Sequence, residues 1–411
     1  MARERVVVVG GGLTAARAVE SMREQGVDDE IVVVAEEPRL PYERPPLSKG
    51  YLAGDEPSSA VYPLDAAWYR DHDVDVRRGV RATQLDTEAR TLATDAGELA
   101  WDRLLLATGA SPRPFDGPGA GLRGVHLLRS LPDSTRLRTA LRAGDRRVVV
   151  IGSSWIGLEV AAAARTYGNE VAVLGRGEAP LEKAVGRELG DMFAELHREH
   201  GVGLRTEVSV SAIEGERGRV RGVVLATGER LPADLVVVGI GATPNVELAT
   251  SARLTVDDGI VTDASFRTSA DGVFAAGDVA NVFNPTLGHR LRVEHWDNAD
   301  ASGRAVGRVL AGEQLEYDEI PYFFTDQYDL GMEYSGYGEL AERAELVVRG
   351  DLARRECIAF RLLEGRVVAG MNVNVWDVND EVQRLIRSRV PVDPAALADP
   401  GVPIPEIGAT A

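Results

Sequence analysis

Val6-Val7-Val8-Val9-Gly10-Gly11-Gly12-Leu13-Thr14-Ala15-Ala16, with an alanine-containing stretch to Gln25 and then Ile31-Val32-Val33-Val34, decides the fold. Four successive valines form a short run, apolar on both sides, as in a strand buried on both faces of a parallel sheet. Glycines break the run, small residues open a helix and a second valine-rich strand follows, which makes one strand–helix–strand unit. In such a unit Gly10 makes the tight turn, Gly12 lets the backbone approach a pyrophosphate, and Ala15 replaces a third glycine at the helix–strand contact. The phosphates then lie on the helix N-terminus. Glu36, about 20 residues past the turn, is placed to accept hydrogen bonds from a ribose. A glycine-rich turn without a ligand would explain the turn but not the strand, helix and acid around it.

The same order returns later. Arg147 to Ile151 reads as a strand, Gly152-Ser153-Ser154-Trp155-Ile156-Gly157 as the turn, Leu158 to Tyr167 as a helix and Val171 to Leu174 as a strand. Ser154 stands where the middle glycine belongs, so its Cβ would crowd a pyrophosphate, while its hydroxyl could donate to one. The strand ends in Leu174-Gly175-Arg176, without the ribose-binding acid and with a guanidinium able to accommodate a 2′-phosphate. Arg176 reads equally well as a solvated surface charge. Glu159 is expected in the first helical turn, where the helix dipole alone favours a carboxylate; a functional role needs a partner.

Two further apolar strands, Leu104-Leu105-Leu106 and Val236-Val237-Val238, run into Ala107-Thr108-Gly109-Ala110 and Gly239-Ile240-Gly241-Ala242. Each follows one unit at a comparable distance, as expected of two dinucleotide domains on one plan. Ser111 to Gly121, rich in Pro and Gly, reads as a crossover, and Val273-Phe274-Ala275-Ala276-Gly277-Asp278 as a return of the chain to complete the first domain. From about Glu316 shorter segments, Arg354 to Leu362 and Arg366 to Asn372, precede a helical Asn379 to Arg389, the texture of a smaller α+β domain. The tail from Asp393, with four prolines, is expected to be extended or mobile.

With 411 residues the chain has room for two or three cores. No apolar run approaches the roughly 20 residues of a membrane span, and the apolar start is too short for a signal peptide, so a cytoplasmic protein with no membrane role is expected. A net charge of -18 repels phosphates and argues against nucleic acid. Cys357 is the only cysteine, which excludes an internal disulfide, a Cys-x-x-Cys pair, a cysteine-ligated iron–sulfur cluster and a cysteine-based zinc site. No metal is expected, and redox chemistry would need a bound organic cofactor. Among 46 Lys and Arg residues only Lys49 and Lys183 are lysine, so Lys49 within Arg44-Pro45-Pro46-Leu47-Ser48-Lys49 points, if not to chance, to a compact ammonium that arginine cannot mimic.

Glu36 with Pro41 to Lys49, Ala107-Thr108-Gly109, Ile156-Gly157-Leu158-Glu159, Ala276-Gly277-Asp278-Val279, Glu294-His295-Trp296-Asp297-Asn298-Ala299 and Pro321-Tyr322-Phe323-Phe324-Thr325-Asp326-Gln327 together resemble FAD-dependent ferredoxin reductases. These are the putidaredoxin reductase and biphenyl dioxygenase reductase type, with apoptosis-inducing factor as a relative. The resemblance implies an α/β fold of two nested Rossmann-like, glutathione-reductase-like domains plus a C-terminal α+β interface domain. The expected boundaries are 1–114 with 245–316 for FAD, 115–244 for NADH or NADPH, and 317–411 for the interface.

The resemblance also implies site residues. Gly10, Gly12, Thr14, Ala15, Glu36, Arg44, Lys49, Ala82, Ala107, Thr108, Gly109, Arg129, Asp278, Glu294, Trp296 and Phe324 surround FAD, with Asp278 on the ribityl chain, Arg129 and the Thr14 region on the diphosphate and Trp296 beside the flavin ring. Gly152, Ser154, Ile156, Gly157, Glu159, Arg176, Gly241 and Ala242 surround the nicotinamide nucleotide. Lys49 and Glu159 meet at flavin N5 as the catalytic pair; a buried lysine needs a counter-charge, and a positive charge there stabilises electrons arriving with the hydride.

The disulfide reductases and peroxide-forming oxidases of this superfamily carry cysteine where Ser48 and Lys49 stand, so electrons should leave FAD directly for a docked one-electron carrier, an iron–sulfur ferredoxin, 2Fe–2S in type. The enzyme would act as monomer or homodimer for a P450 or oxygenase. Arg39, Arg44, Arg304, Arg308, Arg343, Arg354 and Arg355 are candidates to steer an acidic partner, or plain surface charges. Phe324 departs from the tryptophan usual in the putidaredoxin type, and His295-Trp296 leans toward apoptosis-inducing factor. Two alternatives follow: an NAD(P)H diaphorase or oxidase reducing quinones, dioxygen or other small acceptors, and a redox sensor acting through a protein partner.

Overall fold

The computed structural model describes residues 3–408 and divides into two compact units: Met1–Pro45, Ser58–Ser111 and Ala242–Glu319, and Pro46–Pro57, Pro112–Gly241 and Ile320–Ala411. In the first unit the four valines lie in a strand, Arg5–Val9, at the centre of a parallel sheet ordered Val273–Ala275, Arg103–Leu106, Arg5–Val9, Glu30–Ala35, Val74–Arg78. Val6, Val7 and Val8 are wholly buried, as covering both faces of a parallel sheet demands. The helix Leu13–Glu24 buries Ala15, Ala16, Ala18, Val19 and Met22. Its small residues admit a second helix, Trp296–Leu310: a Cβ on Gly303 or Gly307 would lie 2.8 Å from Thr14 O or 2.6 Å from Ala18 O. The return of Val273–Ala275 to this sheet is therefore real, pairing in parallel with Arg103–Leu106.

The second unit repeats the sheet, ordered Val202–Arg205, Glu170–Leu174, Arg147–Ile151, Leu235–Val238, Val125–His126. The edge strand differs in origin: in the first sheet it comes from chain after the repeat, here from chain before it. Each unit also carries a three-stranded antiparallel sheet, Ala82–Asp86 with Thr91–Thr94 and Gly97–Ala100 in one, Val210–Glu216 with Arg219–Leu225 and Arg230–Pro232 in the other. The helix expected from Leu158 runs Trp155–Thr166. Its first turn includes Gly157, since only a residue without Cβ fits there: a Cβ would lie 2.1 Å from Gly152 O.

A five-stranded antiparallel sheet, ordered Tyr322–Gln327, Leu330–Gly336, Arg366–Val373, Glu356–Leu363, Glu345–Asp351, belongs to the second unit, with the helix Asn379–Ser388 burying Val382, Leu385 and Ile386. The tail is not extended or loose where it is described. Pro394–Ala398 is helical, Leu397, Ile404 and Ile407 are buried, and the Arg349 guanidinium donates to Asp399 O at 2.6 Å and Val402 O at 2.7 Å. Prolines set its turns while spaced apolar residues anchor it.

Candidate active site

In the first unit Gly10 has φ of +145° and a Cβ there would lie 2.1 Å from Ala107 O, so the turn closes on the small-residue end of the neighbouring strand. Gly12 caps the Leu13–Glu24 helix with open space where a Cβ would stand; no side chain caps the helix and no acid lies in its first turn. The N–H groups of the first turn and the positive end of the dipole are thus suited to an anion, which fits a dinucleotide diphosphate. Thr14 is buried beside Gly277, where a Cβ would lie 2.4 Å from Thr14 Oγ1, and Asp278 is buried in the turn that follows.

Glu36 lies just past its strand, 67% exposed, with Arg81 Nε at 3.4 Å and Ala82 opening the next strand. A solvated carboxylate suits a ribose diol. Thr108 Oγ1 donates to Asn245 O at 2.8 Å and Asn245 Nδ2 returns a bond to Thr108 O at 2.7 Å, fixing the Ala107-Thr108-Gly109 turn. Arg44 is committed to Glu37 at 3.1 Å and to the Tyr42 hydroxyl at 2.6 Å; Glu294 is held by Arg292. Trp296 opens the Trp296–Leu310 helix, and burial, with Glu319 and Asp300 nearby, pushes the next residue, Asp297, up to about 6.

The turn at Gly152 repeats that at Gly10: φ is +111° and a Cβ would lie 2.1 Å from Gly239 O. Ser154 caps the helix backbone, yet its hydroxyl donates to Gly239 O at 3.0 Å, so it braces the turn instead of pointing a donor at a phosphate. Gly175 is a packing choice too: a Cβ there would meet Ser153 Oγ at 2.5 Å. Arg176 is exposed and has no ion-pair partner among the described residues. Ile156 is 41% exposed on the first helical turn, and Gly241 ends the opposite turn just before the strand Ala242–Pro244. Arg129 is half-buried ahead of the helix Leu131–Leu141.

Glu159 lies beyond the first turn of its helix, which holds no acid, so the dipole does not explain it. Its side chain is 5% exposed and contacts Lys49 Nζ, itself on a side chain 13% exposed. Glu159 Oε1 also accepts from Thr325 Oγ1 at 2.7 Å, and Oε2 from Ser48 Oγ at 2.5 Å. The Phe324 ring centre lies 5.5 Å from Lys49 Nζ, within cation–π range. Ser48, Thr325 and Gln327 stand in stretches that carry the family resemblance, yet none has a role from the sequence alone, and His197 behind them stands in no motif. The only signal was polar residues at positions that strand and helix periodicity turns inward.

Most of the candidate steering arginines are neutralised locally: Arg304 pairs with Asp300 at 3.0 Å, Arg308 with Glu313, Arg354 with Asp351 at 3.6 Å and Arg355 with Glu199 at 2.7 Å. Arg39 is half-buried; Arg343 is exposed and has no acidic partner among the described residues. No group of metal-ligating side chains occurs among the described residues, and no helix there is long and apolar enough to cross a membrane.

Residues 4–303 match the pyridine nucleotide-disulphide oxidoreductase family and residues 322–407 the reductase C-terminal family. The chain is 39% identical to the ferredoxin–NAD(+) reductase component of the anthranilate 1,2-dioxygenase system of Burkholderia cepacia, covering 98% of both chains. It superposes on putidaredoxin reductase from the covalent putidaredoxin reductase–putidaredoxin complex with a TM-score of 0.94 at 34% identity, covering 99% of this chain and 98% of that one. The ferredoxin reductase for the CYP199A2 system of Rhodopseudomonas palustris gives a TM-score of 0.95 at 32% identity, over 99% and 100%. Two glycine turns on twin parallel sheets, a buried lysine–glutamate pair and these likenesses agree: the chain belongs to the pyridine nucleotide-disulphide oxidoreductase family, as an FAD- and NAD(P)H-dependent member of its ferredoxin reductase branch.

Proposed function

We propose that the chain takes a hydride from NAD(P)H onto FAD and passes the electrons singly to a 2Fe–2S ferredoxin that serves an oxygenase or P450 system. The observation that carries this reading is the buried Lys49–Glu159 pair in a chain whose only cysteine, Cys357, is buried in the C-terminal sheet with burial pushing its thiol up to about 11. No thiol is available to take the electrons onward. Relatives bearing dioxygenase-system and putidaredoxin names support the choice of acceptor.

Bound FAD would supply the change from two-electron to one-electron transfer. The uncapped helix at Gly12, with Thr14, holds its diphosphate, Glu36 its adenosine ribose and Asp278 its ribityl chain. The helix at Ser154 holds the nicotinamide nucleotide. Lys49 presents its ammonium to the charge that arrives with the hydride, and Glu159 keeps that ammonium in place. One hydride brings two electrons and one proton; the electrons reduce two ferredoxins and the proton leaves to water. We read residues 1–114 with 245–316, 115–244 and 317–411 as the flavin, nucleotide and partner-facing parts of a cytoplasmic monomer or homodimer.

Cytochrome c reduction with NAD(P)H tests the acceptor. Rates that rise steeply on adding a 2Fe–2S ferredoxin are expected. Equal rates without it would instead point to small-molecule acceptors.

A further inference from the structure

The helix Arg187–Glu199 buries Leu189, Met192, Phe193, Leu196 and His197, the spacing of one apolar stripe. An imidazole is an odd choice for the last position, where leucine would bury without any polar group to satisfy. Yet His197 is fully buried, and burial holds it down to about 4, so it is neutral at physiological pH. Both ring nitrogens are engaged. Nε2 lies 2.8 Å from Gln327 Oε1, and the Tyr328 hydroxyl lies 3.4 Å from Nδ1.

The direction of these bonds is fixed. Gln327 spends its amide nitrogen on Thr325 Oγ1 at 3.2 Å, so its carbonyl faces His197 and the ring proton must sit on Nε2. Nδ1 is then an acceptor for the Tyr328 hydroxyl, whose ring stacks on His200 at 3.7 Å. Thr325, already accepting from Gln327, has its own proton free for Glu159 Oε1. Every donation therefore runs one way, from Tyr328 through His197, Gln327 and Thr325, and ends on the carboxylate that holds Lys49. Thr325 and Gln327 are 0% and 1% exposed, so water does not compete for the links from His197 through Gln327 and Thr325 to Glu159.

We infer that His197 and Gln327 are positioning residues for the Lys49–Glu159 pair: they turn the Thr325 hydroxyl toward Glu159 and thereby set the rate of hydride acceptance. This rests on the role proposed above for that pair. The chain cannot serve as a proton wire, because an amide does not pass a proton along at ordinary cost; it acts by direction alone. Without the imidazole donor, the Gln327 amide can rotate, offer its carbonyl to Thr325 and draw the hydroxyl proton away from Glu159.

The test is stopped-flow reduction of the FAD-loaded full chain by NADH and NADPH. His197→Leu and Thr325→Val should each slow the limiting rate about tenfold, the worth of about 1.4 kcal/mol, while leaving nucleotide affinity unchanged. The double variant should be no slower than either single one, because both break the same chain. Thr325→Ser and His197→Gln, which keep a donor in reach, should recover most of the rate. Should His197→Leu fail to fold, His197→Asn, too short to reach Gln327, carries the same expectation. A wild-type rate in His197→Leu or His197→Asn, or losses that multiply in the double variant, overturns the inference. Lys49→Met and Glu159→Gln are the controls: if they too reduce at the wild-type rate, it is the role of the pair that has failed.

Discussion

Lys49 Nζ contacts Glu159 Oε1 across 110 residues of sequence, with 13% and 5% of the two side chains exposed. Removing one member strands a buried charge, an effect of about 3–5 kcal/mol. Lys49→Met should therefore lower both the melting temperature and, by about a hundredfold, the rate of flavin reduction, the scale of one lost electrostatic stabiliser. The double variant Lys49→Met/Glu159→Leu should recover most of the stability and none of the rate. Thermal melts beside single-turnover kinetics check this; recovery of both together would mean that the pair is structural only.

The twin turns separate two functions. Gly10→Ala places a methyl 2.1 Å from Ala107 O, and Gly152→Ala places one 2.1 Å from Gly239 O. The first should yield colourless protein. The second should stay yellow and be bleached by dithionite but not by NAD(P)H. Flavin content and the flavin's visible absorption decide the matter, and an equal loss of flavin in both variants would refute the division of labour.

Nucleotide choice turns on Gly175 and Arg176. With no carboxylate at the end of its strand and an exposed guanidinium beside it, the chain should use NADPH as well as NADH. Arg176→Ala should raise KM for NADPH about tenfold, as loss of one charge-assisted contact would, and leave KM for NADH nearly unchanged. Identical shifts for the two nucleotides would mean that Arg176 does not meet the 2′-phosphate.

Partial burial near Glu319 and Asp300 pushes the Asp297 carboxyl up to about 6. An acid raised in the folded state is fully compatible with folding below its unfolded value of 3.8, and that stability is lost as pH rises through about 6. Asp297→Asn should therefore match the wild type below about pH 4 and be more stable above pH 6, by on the order of 1–2 kcal/mol after allowing for partial exposure. Melting temperatures across that range would show a gap that opens with pH; a constant gap removes the titration from the explanation.

Parallel sheets were legible in the sequence because burial on both faces leaves unbroken runs such as Val6 to Val9 and Val236 to Val238, and glycine turns mark their ends. Lys49 stood out by rarity. What surrounds Glu159 was not legible, since Ser48, Thr325 with Gln327, and His197 come from three distant places in the chain and each alone resembles an ordinary polar residue. The helix start at Trp155 was hidden because Gly157 reads as a turn when its packing against Gly152 is unseen. The ordered tail was hidden for the opposite reason: prolines dominate its composition, whereas Leu397, Ile404 and Ile407 do the anchoring.

An anaerobic titration tests the central claim most directly. One equivalent of NADPH or NADH should bleach the yellow protein, and two equivalents of oxidised 2Fe–2S ferredoxin should restore the colour in full. Protein that carries no flavin, or colour that returns with oxygen or quinone but not with ferredoxin, would contradict the account.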